Sequence, residues 1–310
     1  MKNILVVGGA GYIGSRLRQV LTQNYNVDSV DCCWYRHDET SRRVDYDKLT
    51  ADALTKYSAV ILLAGHSSVA SCVGPIQSPW LNNVTNFTNL LGKLPKSTTV
   101  IYASSASVYG NSLPGTRHSE TSKQFTPVNN YDITKYTLDL QAQLAIASGY
   151  NIIGLRFGTV NGWSPNLRVD VMINAMYTNA VSFNEIIVTN KHINRALLGI
   201  EDLCRGICCC IENPTPGIYN MASFNTTVSS IATTLATKLN VPIRDKGQTL
   251  NVYDFELDTT LFEQTFNFTF TETPATIIDG LIEKYNSAHI ERRDNYMHYQ
   301  WESNYGIRQR

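Results

Sequence analysis

The fold of this chain is decided by the stretch VVGGAGYIGS, residues 6–15. It continues a short apolar run, NILVV, and places glycines at positions 8, 11 and 14. In a strand–turn–helix unit, Gly8 permits the tight turn, Gly11 lets the backbone approach a pyrophosphate, and Gly14 lets the helix pack against the strand. The stretch therefore predicts a dinucleotide site, with a tight turn that binds no ligand as the alternative.

The residues that follow this turn extend the predicted dinucleotide site. Tyr12 and Ile13 open the helix, so their backbone N–H groups lie at its positive end and face the phosphates. Asp31 lies about 20 residues after Gly11, at the end of the next predicted strand, where a carboxylate accepts from both ribose hydroxyls. Because it would repel a 2′-phosphate, the sequence predicts NAD rather than NADP. Asp45 closes the stretch RRVD, where it either reaches the adenine or is a surface carboxylate.

Short apolar stretches alternate with helical stretches through the first half of the chain. The predicted strands are NILVV, VDSVD, AVILLAG, TVIYASS and NIIGLRF. Predicted helices cover about residues 12–22, 81–91 and 131–147. This alternation is typical of βαβ units, so we expect an α/β fold with a Rossmann-like, doubly wound parallel sheet.

The pattern changes beyond Gly162. Irregular stretches, a helix near residues 169–180 and a cysteine-rich helix follow, and we expect a smaller, interleaved C-terminal lobe. The predicted division is a mainly NAD-binding domain over residues 1–162 and a mainly substrate-binding lobe over residues 163–310. Segments near residues 196–222 are expected to return to the first domain.

The composition indicates a small-molecule partner. The chain has 310 residues with 26 basic and 26 acidic side chains, so no net charge attracts nucleic acid or an anionic membrane. No apolar run approaches the roughly 20 residues that cross a bilayer, and the start does not resemble a signal peptide, so we expect a cytoplasmic protein. The seven cysteines lack the paired spacing of a zinc site, which favours reduced, structural thiols and no metal.

A second pattern indicates a reaction centre. The stretch YDITK places Tyr131 and Lys135 at i and i+4 on one helix face, so the ammonium lies near the phenol. It opens the predicted helix that follows the strand with SSASVYG. Chance alone readily yields such a pair in a chain with 17 tyrosines, so the pattern gains its weight from this position.

Together these stretches resemble the extended branch of the short-chain dehydrogenase/reductase superfamily, which includes UDP-galactose 4-epimerase and other nucleotide-sugar enzymes. The resemblance rests on GGAGYIG, SSASVYG, YDITK, LRFGTVNG, RALLGIED and IYNMA, and it covers nearly the whole chain. It implies NAD as the cofactor and a nucleoside-diphosphate sugar as the substrate. It also implies a homodimer joined through the helices near Leu81 and Tyr131.

The resemblance assigns roles to individual residues. It implies that Tyr131 is the acid or base for a sugar hydroxyl, that Lys135 favours the ionised phenol and binds the nicotinamide ribose, and that Ser105 donates to the same substrate oxygen. Ser107 is a further candidate for the substrate, with an ordinary strand-end polar group as the alternative. Arg195, the first residue of RALLGIED, stands where relatives bind the substrate diphosphate, and a guanidinium suits paired phosphate oxygens.

Some positions depart from the pattern of the 4-epimerases. Thr159 stands where relatives carry an asparagine that touches the diphosphate, and Asn161 or Asn174 is the candidate to replace it. His66 stands where relatives often have alanine, and a loop histidine is favoured over a catalyst. Ala106 stands where the family's dehydratases carry an acidic residue, which disfavours elimination of water.

The function implied by the resemblance is oxidation at C4 of the sugar, followed by reduction. If the cofactor stays bound and the hydride returns to the other face, the enzyme is a sugar-nucleotide 4-epimerase, which is the prediction. A net 4-dehydrogenase or 4-ketoreductase is the first alternative. An NAD-binding sensor or scaffold without turnover is the second.

Overall fold

The computed structural model describes residues 1–34, 38–110, 112–113, 115–123, 125–249 and 252–285. Its strands are β1 (Asn3–Val7), β2 (Asn26–Asp31), β3 (Arg42–Arg43), β4 (Ala59–Leu62), β5 (Thr99–Ser105), β6 (Thr116–His118), β7 (Ile152–Phe157), β8 (Thr159–Asn161), β9 (Ile186–Val188), β10 (Asn194–Gly199), β11 (Gly217–Met221), β12 (Phe224–Thr227), β13 (Ile243–Asp245) and β14 (Phe255–Leu257). Its α-helices are α1 (Tyr12–Leu21), α2 (Ala51–Leu54), α3 (Gln77–Trp80), α4 (Asn86–Lys93), α5 (Asn130–Ala147), α6 (Met172–Phe183), α7 (Ile200–Glu212), α8 (Val228–Leu239), α9 (Thr260–Phe266) and α10 (Pro274–Lys284).

A seven-stranded sheet forms the centre of the molecule. Its strand order is β11-β7-β5-β4-β1-β2-β3, and all six pairings are parallel. The order reverses between β1 and β4, which opens a crevice at the carboxyl ends of these two strands. The predicted Rossmann-like, doubly wound α/β fold is confirmed.

Both faces of this sheet are covered by helices, because successive residues of its central strands are apolar and point to opposite faces. Ile4 and Val6 of β1 pack with α1 and α7 in one buried cluster. Leu5 and Val7 of the same strand pack with α4 and α5 in another. A strand buried on both faces needs a continuous apolar run, which is why NILVV shows no polar alternation.

A smaller lobe lies over the carboxyl edge of the large sheet. It contains the three-stranded sheet β12-β10-β8 and the two-stranded sheets β13-β9 and β14-β6. The helices α6, α8 and α10 enclose a separate apolar cluster against β9. Because β8 and β10 begin just beyond the large sheet, this lobe is directly joined to the crevice.

The chain passes between the two parts more than once. Within residues 196–222, β10 belongs to the small sheet, whereas α7 packs against α1 and β11 completes the large sheet beside β7. None of the helices in the described ranges combines the length and apolar character needed to cross a bilayer.

Candidate active site

The glycine-rich turn lies in the crevice between β1 and β4. Gly8 has a φ of +89°, and a Cβ at this position would lie 2.5 Å from the backbone nitrogen of Ala64. A Cβ on Gly14 would lie 2.2 Å from the carbonyl oxygen of Gly8, so α1 packs against the turn only because this residue is glycine. Gly11 is the N-cap of α1 and has no side chain to cover the helix end. The turn therefore leaves the N-terminus of α1 open toward the crevice.

This crevice has the donors and shape that suit a dinucleotide. The first N–H groups of α1, those of Tyr12 and Ile13, have no acceptor within the helix. No acidic side chain lies in the first turn of α1. The Oδ1 atom of Asn82 lines the crevice and is buried without a hydrogen-bond partner among the described residues. The helix N–H groups fit the phosphate oxygens of a ligand, the Asn82 oxygen fits a hydroxyl or N–H donor of the same ligand, and we call this crevice the cofactor cleft. The predicted cofactor residues that line it are Gly8, Gly11, Tyr12, Ile13, Gly14, Asp31 and Asp45.

Asp31 ends β2 and is held against the glycine-rich turn. Its Oδ2 accepts from the backbone N–H of Ala10 at 3.0 Å, and its Oδ1 accepts from that of Cys33 at 2.7 Å. Burial raises the pKa of the Asp31 carboxyl, and these backbone donors act in the opposite direction. The carboxylate is thereby fixed at the wall of the cofactor cleft, with further lone pairs available to accept hydroxyls.

Asp45 lies on the same wall but is partly engaged by the protein. It is the N-cap of a short 3₁₀ helix, Tyr46–Lys48, where its Oδ1 accepts from the backbone N–H of Asp47 at 3.4 Å. Its contact with the cofactor stays a prediction.

A second cleft continues from the first, and we call it the substrate cleft. The two share Tyr12, Ile13, Leu63, Gly65, Ser67 and Arg168. The end of β5, the start of α5 and the start of β10 form its walls. Besides Tyr12 and Ile13, the structure brings together five further predicted site residues along it: Ser105, Ser107, Tyr131, Lys135 and Arg195.

Tyr131 and Lys135 lie together because they are one turn apart on α5. The Nζ of Lys135 donates to the carbonyl oxygen of Ala103 at 2.7 Å and lies 6.0 Å from the centre of the Tyr131 ring. Burial raises the pKa of Tyr131, whereas a hydrogen bond with Ser105 and the charge of Arg168 act to lower it. Burial also lowers the pKa of Lys135 to about 8. The ammonium is therefore mostly charged at neutral pH, as a group that favours tyrosinate must be.

Arg195 lies on the opposite wall of the substrate cleft. Its Nη2 donates to Oγ1 of Thr159 at 3.2 Å. Thr159, which departs from the 4-epimerase pattern, therefore contacts the arginine that is predicted to bind the diphosphate. Burial lowers the pKa of Arg195, and the charges of Tyr253 and Asp254 act to raise it.

Asn174 is the predicted site residue that the structure does not bring to either cleft. Its side chain is fully buried, its Oδ1 accepts from the backbone N–H of Gly162 at 2.9 Å, and its Nδ2 donates to the carbonyl oxygen of Arg168 at 2.8 Å. Its contact with the substrate stays a prediction, and in the structure its amide holds a loop of the protein. The other candidate, Asn161, is also fully buried, and its Oδ1 accepts from the backbone N–H of Ile173 at 2.8 Å.

The structure adds a residue that sequence reasoning did not select. Arg168 lines both clefts, and its guanidinium makes two contacts with Asp170, at 2.6 and 3.0 Å. It lies in the irregular stretch GWSPNLR, which has no helical or strand periodicity. The direction of its side chain therefore cannot be predicted from the sequence. The only available signal was a basic residue shortly after the end of a strand.

His66 lies behind the clefts. Its ring is 5.2 Å from that of Trp34, and its Nε2 is 2.9 Å from Oγ of Ser78. Burial lowers the pKa of this imidazole, so it is neutral at neutral pH. The described part of the chain contains no cluster of histidine, cysteine or acidic side chains that is able to hold a metal ion.

Asp31→Ser is expected to weaken NAD binding and to relax the preference for NAD over NADP. The variant loses the carboxylate that is predicted to accept the ribose hydroxyls, and with it the predicted repulsion of a 2′-phosphate. Titration with both dinucleotides measures the change, and Asp28→Ser, in the middle of β2 and outside the lining of the cofactor cleft, is the control. Tighter binding of NADP than of NAD by the unmodified protein would contradict the role of Asp31.

The chain matches a known protein family and is similar to several known proteins. A model of the NAD dependent epimerase/dehydratase family matches residues 4–222. A UDP-glucose 4-epimerase of Lactobacillus helveticus is 29% identical over 52% of this chain, and the match spans 52% of that protein, about half its length. An ADP-L-glycero-D-manno-heptose-6-epimerase of Brachyspira hyodysenteriae is 26% identical over 72% of this chain and 76% of that protein.

A solved structure shows the same fold. It is an NAD-dependent NDP-hexosamine 5,6-dehydratase involved in tunicamycin biosynthesis, with a TM-score of 0.79 and 23% identity over 91% of this chain and 97% of that one. The family match confirms the predicted resemblance, and it confirms NAD as the cofactor. The protein is an enzyme of the NAD dependent epimerase/dehydratase family.

Proposed function

We propose that this enzyme oxidises and then reduces C4 of the sugar of a nucleoside diphosphate sugar, and that it is a 4-epimerase. The proposal is carried by one observation: Ser105, Tyr131 and Lys135 converge on a cleft that is continuous with the cofactor cleft. A sugar in the substrate cleft therefore lies beside the phenol and next to the space for the nicotinamide.

The reaction begins with loss of the proton on the C4 hydroxyl oxygen and of the hydride on C4 itself. Tyr131 takes the hydroxyl proton while Ser105 donates to the hydroxyl oxygen, and the C4–H electron pair leaves as a hydride, so that a C4 ketone forms. Bound NAD supplies the acceptor for that hydride and later its donor. Return of the hydride to the opposite face of C4, with the proton returned by Tyr131, gives the epimer.

The charges of the substrate cleft support a diphosphate ligand. Its described lining contains the cationic side chains of Lys135, Arg168 and Arg195 and no Asp or Glu side chain. Arg195 is the proposed diphosphate ligand, since guanidinium groups bind phosphate oxygens through paired hydrogen bonds. Ser107 is proposed to contact the sugar.

The same lining favours epimerisation over elimination of water. Elimination would need a further acid or base whose side chain faces the substrate in the cleft. Ala106 follows Ser105, and the described lining of the substrate cleft contains no carboxylate. The groups present are sufficient for oxidation and reduction at one carbon.

A sugar labelled with deuterium at C4 distinguishes the outcomes. The purified holoenzyme is incubated with UDP-, ADP- and dTDP-linked hexoses carrying this label, without added cofactor, and the products are followed by NMR and mass spectrometry. A 4-epimerase gives the C4 epimer with its deuterium retained and releases no reduced cofactor. Stoichiometric reduced cofactor with a 4-keto sugar would establish a net dehydrogenase or ketoreductase instead, and tight NAD binding without turnover would establish a sensor.

We also propose that the enzyme is a homodimer. One side of α5 exposes Ile133, Leu140 and Leu144, whose exposed fractions are 37%, 42% and 72%. Residues spaced in this way share one helix face, and Leu81 adds a further exposed apolar side chain. Light scattering of the purified protein tests this assembly.

A further inference from the structure

A buried carboxylate lies directly beside Tyr131 and has no part in the proposed reaction. Asp132 is in the first turn of α5, and its exposed fraction is 0%. Burying an ionised carboxylate is costly unless hydrogen-bond donors surround it. The hydrogen-bond partners of Asp132 therefore indicate its role.

The groups that face Asp132 are donors. Its Oδ2 accepts from the backbone N–H of Val128 at 3.1 Å and from Nδ2 of Asn129 at 2.9 Å. The hydroxyl of Tyr253 lies 2.9 Å from Oδ1 and 3.0 Å from Oδ2. Burial raises the pKa of this carboxyl, and these donors oppose the shift, as does the positive end of α5. These donors favour the carboxylate over the neutral acid.

Tyr253 reaches Asp132 from the other side of the substrate cleft. It lies just before β14, in the smaller lobe, and its ring lines the cleft. Its hydroxyl also accepts from Nδ2 of Asn129, the N-cap of α5, at 2.7 Å. One phenol thus joins the wall of the smaller lobe to the first turn of the helix that carries Tyr131.

We infer that Asp132 and Tyr253 form a positioning pair, which fixes the first turn of α5 against the smaller lobe and keeps a negative charge beside Tyr131. The effect on catalysis rests on the proposed function, whereas the effect on the ionisation of Tyr131 does not.

The sign of the electrostatic effect follows from the neighbours of Tyr131. A negative charge beside a phenol opposes loss of its proton, so Asp132 acts against the positive groups that favour tyrosinate. Removing that charge lowers the pKa of Tyr131. The titratable or charged groups that face the phenol are Cys72, Asp132, Lys135, Arg168 and Tyr253.

Asp132→Asn tests the charge while keeping the shape. The amide oxygen at the Oδ2 position accepts from Val128 and Asn129, and the amide nitrogen at the Oδ1 position faces the Tyr253 oxygen. We expect the acid limb of the kcat/KM profile to move to lower pH by several tenths of a unit. The same shift is expected in the near-ultraviolet titration of tyrosinate in the holoenzyme, taken as the difference from a Tyr131→Phe background. An unmoved titration would overturn the inference.

Tyr253→Phe tests the position of α5 while leaving the ring in the cleft. We expect kcat to fall about 10- to 100-fold, because a displaced base loses alignment with its proton, while bound NAD is retained. Tyr57→Phe is the matched control, since its hydroxyl donates to Asp28 at 2.6 Å on the surface. A kcat of Tyr253→Phe equal to that of the control, or a change in KM alone, contradicts a positioning role.

These experiments separate the inference from the proposed function. If no labelled sugar turns over, the proposed function fails, and the tyrosinate titration of Asp132→Asn still decides whether the charge acts on Tyr131. If Tyr253→Phe does not fold, the same titration decides alone.

Discussion

Tyr131→Phe is expected to keep its fold and its bound NAD while losing turnover by about 100-fold or more, the scale of an acid–base group. The substitution removes only the ionisable oxygen, and the ring keeps its place at the start of α5. The phenol is the one group of the proposed set that exchanges a proton with the sugar hydroxyl. Single-turnover and steady-state rates with an active nucleotide sugar measure the loss.

The matched control lies on the same helix. Tyr136 stacks on Phe125 with ring centres 4.8 Å apart, and its side chain does not line the substrate cleft. Tyr136→Phe should therefore retain most of the kcat. A Tyr131→Phe variant with kcat close to that of the unmodified enzyme would remove Tyr131 from the reaction.

Asp139→Asn is expected to destabilise the protein by about 3–5 kcal/mol, the usual cost of breaking a buried ion pair from one side. The Nε of Arg156 donates to Oδ2 of Asp139 at 2.7 Å, and the two side chains are 2% and 1% exposed. The hydroxyl of Tyr102 donates to Oδ1 at 2.8 Å. Without the carboxylate, the guanidinium stays buried beside a neutral amide. Denaturant unfolding of the holoenzyme measures the free energy of unfolding.

The surface provides the contrast for this prediction. Asp28 pairs with Lys56 at 2.7 Å, and both side chains are more than half exposed. Asp28→Asn should change the free energy of unfolding by less than about 1 kcal/mol, since water screens such a pair. Equal effects of the two substitutions would show that the buried pair is not an energetic requirement of the fold.

Asp139→Asn has a second readout in the active site. The charge of Asp139 acts to raise the pKa of Lys135, against the burial that lowers it to about 8. Loss of that charge lowers the pKa of Lys135 further, so the ammonium loses its proton at a lower pH. The upper pH limit of activity should fall accordingly.

Much of the fold was predictable because its signals are local. The glycines of the first turn, the apolar runs of β1, β4 and β5, and the YDITK stretch each carry their meaning within a few residues. The predicted helix over residues 131–147 appears as α5, whose first residue is Asn130. The predicted helix near residues 81–91 consists of a π-helical turn, Leu81–Thr85, followed by α4. The sequence did not show the π-helical turn, because a shift in backbone hydrogen bonding does not change the pattern of apolar residues.

The parts of the site that sequence reasoning missed depend on distant contacts. Asn174 carries an amide that suits a diphosphate, but only the folded loop shows that Gly162 and Arg168 use it. The pairing of Asp132 with Tyr253 joins residues that are 121 positions apart. No periodicity or spacing relates such residues, so the contact follows only from the arrangement of the two lobes.

The place of β11 in the large sheet has a consequence for how the chain is made. This strand pairs with β7 but follows β8 and β10 of the small sheet in the chain. Most of the large sheet is therefore synthesised before its last strand. Until then β7 presents an open edge, and an open edge invites pairing with other chains. Nascent chains that stop near residue 162 should therefore aggregate, and chains extended past Met221 should remain dispersed. Residues 1–162 produced alone would therefore keep the edge of β7 unpaired and prone to aggregation.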